Sequence, residues 1–130
     1  MITFLLKKRA MDKLQTVHLQ TLEILDNIDS FVYVIDKNSH ETLFLNKKAI
    51  EFFGANKIGG LCYEFISCEA GPCDYCPMLF LTDSLDHTIQ EVYLPKRKLW
   101  FRAAVSRLQW TEGRDVCLLH CHDITAYKTK

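Results

Sequence analysis

With 130 residues, 48% of them hydrophobic and 25% charged, the chain has the make-up of one compact domain that buries its core without disulfide or metal staples. Sixteen basic residues offset sixteen acidic ones, which removes the positive field that non-specific nucleic-acid binding draws on. No apolar run approaches the roughly twenty residues of a membrane span, and the opening MITFLLKKRA places its charges after its apolar residues, the reverse of an export signal.

From Leu14 the apolar positions step as Leu14, Val17, Thr21, Ile24, Ile28 and Phe31, with Leu22 and Leu25 widening the stripe. Alternating spacings of three and four predict an amphipathic helix over about residues 10–28, which packs either on its own domain or on a second copy. Phe31 to Asp36 is apolar and β-branched and ends in the turn formers Asp36 to Ser39, so a strand buried on both faces is expected, with a second at Thr42 to Leu45. Asn46 sits where an N-cap belongs ahead of Lys47 to Phe53, and Gly54 sits where a C-cap glycine belongs.

After the Gly59-Gly60 turn, a short helical turn is expected at Cys62 to Ile66. Pro77 suits the first position of a further helix, Met78 to Leu81, with Cys76 at or beside its N-cap. The last third predicts three strands: Thr88 to Leu94, Leu99 to Leu108 and Val116 to Cys121. Lys96, Arg97 and Lys98 read as a solvated turn, and Gly113 supplies a tight hairpin. The fold class is therefore α+β, a five-stranded antiparallel sheet with helices on one face and an amphipathic helix in front.

Four of the six cysteines, Cys62, Cys68, Cys73 and Cys76, fall within fifteen residues. Without an export signal a reducing cytoplasm is expected, where clustered cysteines serve as metal ligands or redox thiols more readily than as structural disulfides. Three readings stand open. The four could hold zinc or an iron–sulfur cluster, although C-x5-C-x4-C-x2-C lacks the paired knuckles of a zinc ribbon. Cys73 and Cys76 could cycle between dithiol and disulfide, with a helix dipole favouring the Cys76 thiolate. They could also be free thiols that fill space.

Alternation along the last strand puts Cys117 and Cys121 on one face and His120 and His122 on the other. No nucleophile elbow, zinc-protease helix or phosphate loop is present, so catalysis is not indicated.

The stretches LDNIDSFVYVID (25–36), LFLNKKAIEFFG (43–54), LWFRAAVSRLQWTEGR (99–114) and HDITAYK (122–128) together resemble a PAS domain, the sensory module of bacterial signalling proteins. The resemblance implies strand order 2-1-5-4-3 and a cavity between sheet and helices, for which Phe53, Tyr63, Phe65 and Trp100 are the candidate lining residues. It also implies a linker and dimerisation helix over 1–28, the PAS domain over 29–126 and, from 127–130, the start of a linker to an effector in the same chain. That effector would be of histidine kinase or diguanylate cyclase type. Asp123, Ile124 and Thr125 match the triplet through which such domains pass a ligand, metal or redox signal onward.

A subset of these domains carries a CYE-like cysteine followed by PCxxCP, which Cys62, Cys73 and Cys76 match between Pro72 and Pro77; Cys68 has no place in that pattern. Light-sensing relatives carry their reactive cysteine in a motif like GRNCRFLQ. Gly59 to Ile66 keeps a glycine and the cysteine but lacks the asparagine and glutamine that hold a flavin, so flavin and haem are both disfavoured.

Overall fold

The computed structural model describes residues 2–128. Its elements run α1 (Ile2–Asp26), β1 (Phe31–Asp36), β2 (Thr42–Leu45), α2 (Lys47–Phe53), α3 (Cys62–Phe65), a 3-10 turn (Pro77–Phe80), β3 (His87–Leu94), β4 (Leu99–Gln109), a second 3-10 turn (Thr111–Gly113), β5 (Asp115–Asp123) and α4 (Thr125–Lys128). The five strands form one sheet ordered β2-β1-β5-β4-β3, and every neighbouring pair is antiparallel.

The register divides the sheet into two faces. Tyr33 lies opposite Leu119, Ala103 opposite Cys121 and Val92 opposite Phe101, so these residues share one face with Ile35, Leu94, Val105 and Cys117. All of them are buried, and α2, α3 and the first 3-10 turn pack against them. The opposite face carries Ile89, Tyr93 and Leu108, which are exposed, together with the half-buried Trp100, His120 and Ala104. Every residue of β1 is buried, as expected for a strand with a neighbour on each side.

Asn46 fixes how the front of the chain enters the domain. Its Oδ1 accepts the Ala49 amide and caps α2, and also accepts the Val32 amide; its Nδ2 donates to the carbonyls of Leu25 and Ser30. One fully buried side chain thus joins α1, β1 and α2.

Three expectations change. The helix α1 begins at Ile2, well before residue 10, because nothing in residues 2–9 breaks a helix; it stops at Asp26, where the Asn27 amide and side chain both donate back to the Glu23 carbonyl. The stripe through Leu14, Val17 and Ile24 faces solvent, while Leu22, Leu25 and Ile28 turn inward and Phe31 belongs to the core strand. The element after Pro77 is a four-residue 3-10 turn, with Cys76 in extended geometry ahead of it and making no side-chain cap. The sequence expectation of 127–130 as linker lies partly outside the described residues, which end at Lys128.

Candidate functional site

Between the buried sheet face and the crossover from β2 to β3 lies a cavity of about 50 Å³. That is room for a few waters or a ligand of a few heavy atoms, whereas pockets for drug-sized ligands enclose roughly 300–1,000 Å³. Tyr33, Leu119 and Cys121 form its floor from the central strands, Phe101, Ala103, Val92 and Leu94 continue it outward, and Cys62, Tyr63, Ile66, Cys73, Tyr75, Cys76 and Met78 form its roof. His40, from the β1–β2 hairpin, closes one end and holds a backbone φ of 65°.

Four thiols therefore meet one small space, and each has a polar neighbour: Tyr33 at Cys121, His40 at Cys62, Tyr75 at Cys73 and the Met78 amide at Cys76. Cys121 Sγ lies 3.2 Å from the Tyr33 hydroxyl, and Cys62 Sγ lies 3.7 Å from His40 Nδ1. Burial governs their acidity. It pushes the Cys62 and Cys121 thiols up to about 12 and raises Cys76 as well. The Met78 and Leu79 amides at the start of the first 3-10 turn do favour the Cys76 thiolate, in the expected direction, but desolvation outweighs them. All six cysteines are free.

The cysteines expected to act together are only partly brought together. Cys62, Cys73 and Cys76 border the cavity, whereas Cys68 is exposed, lies outside the lining and takes a φ of 58° just after α3. Cys121 joins them from the sheet. Alternation in the sequence placed it on a common face with Cys117, but nothing in the sequence said that this face looks toward the crossover. Among the described residues, no three His, Cys, Asp or Glu side chains are placed to hold a metal ion.

Of the aromatic residues considered for the lining, Tyr63 borders the cavity. Phe53 and Phe65 pack edge to face at 5.1 Å in a neighbouring aromatic cluster with Phe52 and Phe31. Trp100 sits on the far face of the sheet against Tyr93 and under the Lys128 ammonium.

Arg97 departs from the solvated turn expected for it. Its guanidinium lies 5.2 Å from the Phe52 ring and 5.3 Å from the Phe53 ring, and it donates to the carbonyls of Phe65 and Ile66 at the end of α3. The β3–β4 turn thus holds the cavity roof in place, which the short run of basic residues did not signal. His120 and His122 share the outer face with ring centroids 4.8 Å apart, and the Ser30 hydroxyl contacts His120 Nε2. Burial and the neighbouring His122 lower the pKa of His120.

The exit from the sheet is bonded to the strand that walls the cavity. The Trp100 amide donates to Thr125 Oγ1 at 2.9 Å, the Ile124 amide donates to the Trp100 carbonyl at 2.8 Å, and the Thr125 amide donates to Asp123 Oδ1 at 2.9 Å. Trp100 precedes Phe101 of the cavity wall. Asp123 thus ends β5, Ile124 links it to α4 and Thr125 opens α4, and all three are tied to β4.

No family model matches the chain, and no curated protein matches it. Solved structures do. The PAS domain of an HTR-like protein from Haloarcula marismortui superposes with a TM-score of 0.65 at 14% identity, covering 85% of this chain and 99% of that one. The PAS domain of nitrogen regulation protein NR(II) from Vibrio parahaemolyticus gives 0.63 at 15% identity, covering 80% and 97%. The PAS domain of BvgS from Bordetella pertussis gives 0.51 at 16% identity, covering 94% and 92%. Strand order, helical crossover and these likenesses agree: the chain adopts the PAS fold.

Proposed function

We propose that the chain is a sensory and dimerisation domain of a signalling protein, passing a change in its cavity to an effector of histidine kinase or diguanylate cyclase type in the same chain. The observation that carries this reading is the adjacency on β4 of Phe101, in the cavity wall, and Trp100, whose backbone holds Ile124 and Thr125 at the exit. A small ligand or a change in the cavity thiols that moves β4 shifts the population of exit geometries, and α4 carries that shift onward. The cavity volume favours a ligand of a few heavy atoms over flavin or haem. The domain itself is read as non-catalytic.

Dimerisation is assigned to α1. Ile2, Leu5, Leu6, Met11, Leu14, Val17 and Ile24 are exposed on it, an apolar surface that a second copy would cover. No helix among the described residues is long and apolar enough to cross a membrane.

Xenon tests the sensory reading, because it enters small apolar cavities without needing a polar partner. Amide resonances recorded under xenon pressure should shift at Ile66 and Leu119 and, through β4, at Ile124 and Thr125. Shifts that stop at the cavity wall would contradict the reading.

A further inference from the structure

The CxxC in the cavity roof has a geometry suited to chemistry that the fold does not require. We infer that Cys73 and Cys76 form a reversible dithiol–disulfide pair that takes its oxidising equivalents from a low-molecular-weight disulfide. The inference rests on the sensory reading only for its consequence at the exit; the pair itself stands on the local geometry.

The Cys76 amide donates to the Cys73 carbonyl at 3.3 Å, which closes residues 73–76 into a turn. A four-residue turn keeps its first and last Cα atoms within about 7 Å. Disulfides span Cα distances of about 4.4–6.8 Å, so the two sulfurs can meet through side-chain rotation and small backbone adjustments. Both side chains border the same cavity.

Cys73 alone borders both the cavity and the outer surface, and the cavity it shares with Cys76 joins the two. Cys73 borders the internal cavity and also a shallow surface groove formed by residues 69–75, so a small oxidant reaches it from solvent. Cys62, Cys117 and Cys121 are buried, and Cys68, although exposed, borders neither concavity. Because Cys73, unlike Cys76, borders the outer groove, attack begins at Cys73 and Cys76 resolves it from the cavity side.

The chemistry balances as thiol–disulfide exchange. Cys73 Sγ, having lost its proton, attacks one sulfur of the oxidant; the oxidant's S–S bond breaks, and its departing thiolate takes up that proton. Cys76 Sγ then attacks Cys73 Sγ in the mixed disulfide, displacing the second thiolate, which takes up the proton from Cys76. Two protein thiols are oxidised and one small disulfide is reduced to two thiols. The bridge would stiffen the residues that lead into Pro77, whose turn seats Met78 in the core beneath β3 and β4.

The purified chain, kept with a chelator and equilibrated in glutathione buffers of rising oxidised-to-reduced ratio, is alkylated and mapped by mass spectrometry. Free thiols should fall from six to four, with the lost pair on the peptide carrying Cys73 and Cys76. Cys76→Ser should instead accumulate one glutathione on Cys73, since no resolving thiol remains. Both side chains are only half-buried, so this variant is expected to fold. Six free thiols at every ratio, a bridge that includes Cys62, Cys68 or Cys121, or a retained metal ion that blocks alkylation would overturn the inference. A Cys73–Cys76 bridge that leaves amide exchange at Ile124 unchanged would sustain the pair and count against the sensory reading alone.

Discussion

Asn46 shows how much one side chain decides. Its amide accepts two backbone bonds and donates two, so its chemistry is divided between capping α2 and anchoring the segment from Leu25 to Ser30. Asn46→Asp keeps the acceptors, and aspartate caps helices as well as asparagine does. It replaces the two donors with a carboxylate oxygen facing two carbonyls, so a loss of about 3 kcal/mol is expected in chemical denaturation, with faster amide exchange at the end of α1. A loss below about 1 kcal/mol would mean that the anchor carries little.

Asp36 works through charge instead. The Ser39 amide, then the Arg114 guanidinium and the Asn38 amide, hold its carboxyl down to about 2, against an ordinary value near 4. A depressed carboxylate stabilises the fold above its unfolded pKa and loses that contribution as pH falls through the folded one. Acid titration should therefore show a loss of stability between about pH 4 and pH 2 that Asp36→Asn lacks. Equal slopes in the two proteins across that window would refute the assignment.

The N-cap at Asn46 was legible in the sequence because capping is a local matter, settled by residues three apart. Its two donated bonds were not, since their partners lie 16 and 21 residues away and are backbone groups that any residue would present. Arg97 was misread for the same reason: its carbonyl partners are 31 and 32 residues distant.

At the scale of elements, the strands were legible to within a residue or two, because apolar, β-branched runs and, at Thr88 to Leu94, alternation are bounded by turn residues. The helix α1 was legible in kind but not in orientation. Its stripe has two sides, and only packing decides that Leu22, Leu25 and Ile28 face inward while Leu14, Val17 and Ile24 face out. If the outward side is the dimer interface, Leu14→Glu with Val17→Glu should convert dimers to monomers in sedimentation, at a change of less than about 0.5 kcal/mol per site in the stability of each protomer. A chain already monomeric before substitution, or still dimeric after it, would contradict that role.

The cavity illustrates what sequence leaves out at this scale. Cys62, Cys73 and Cys76 announce themselves by clustering, but Cys121 joins them only because the register sets Ala103 opposite Cys121 and turns both toward the crossover. Cys68, two positions beyond Ile66, is turned away by a left-handed backbone that no spacing rule anticipates.

At the scale of the whole molecule, the fold places a small thiol-lined cavity on one side of the sheet and the departing helix at the end of β5. Two neighbouring strands join them: β5 carries Leu119 and Cys121 of the floor and runs on into α4, and β4 sets Phe101 and Ala103 toward the cavity while Trp100 holds the exit. The sheet is thus both the floor of the cavity and the support of α4. Communication needs only that two arrangements of β4 lie close in free energy and that the cavity's contents favour one of them.

Ala103→Leu tests that claim most directly, because it fills the cavity from β4 without touching Trp100, Asp123 or Thr125. Hydrogen exchange at the Ile124 and Tyr127 amides, which bond to the Trp100 and Ile124 carbonyls, should change by roughly tenfold relative to wild type, equivalent to about 1.4 kcal/mol in the opening equilibrium. Exchange there that matches wild type, in a variant whose sheet amides remain protected, would contradict coupling between the cavity and the exit.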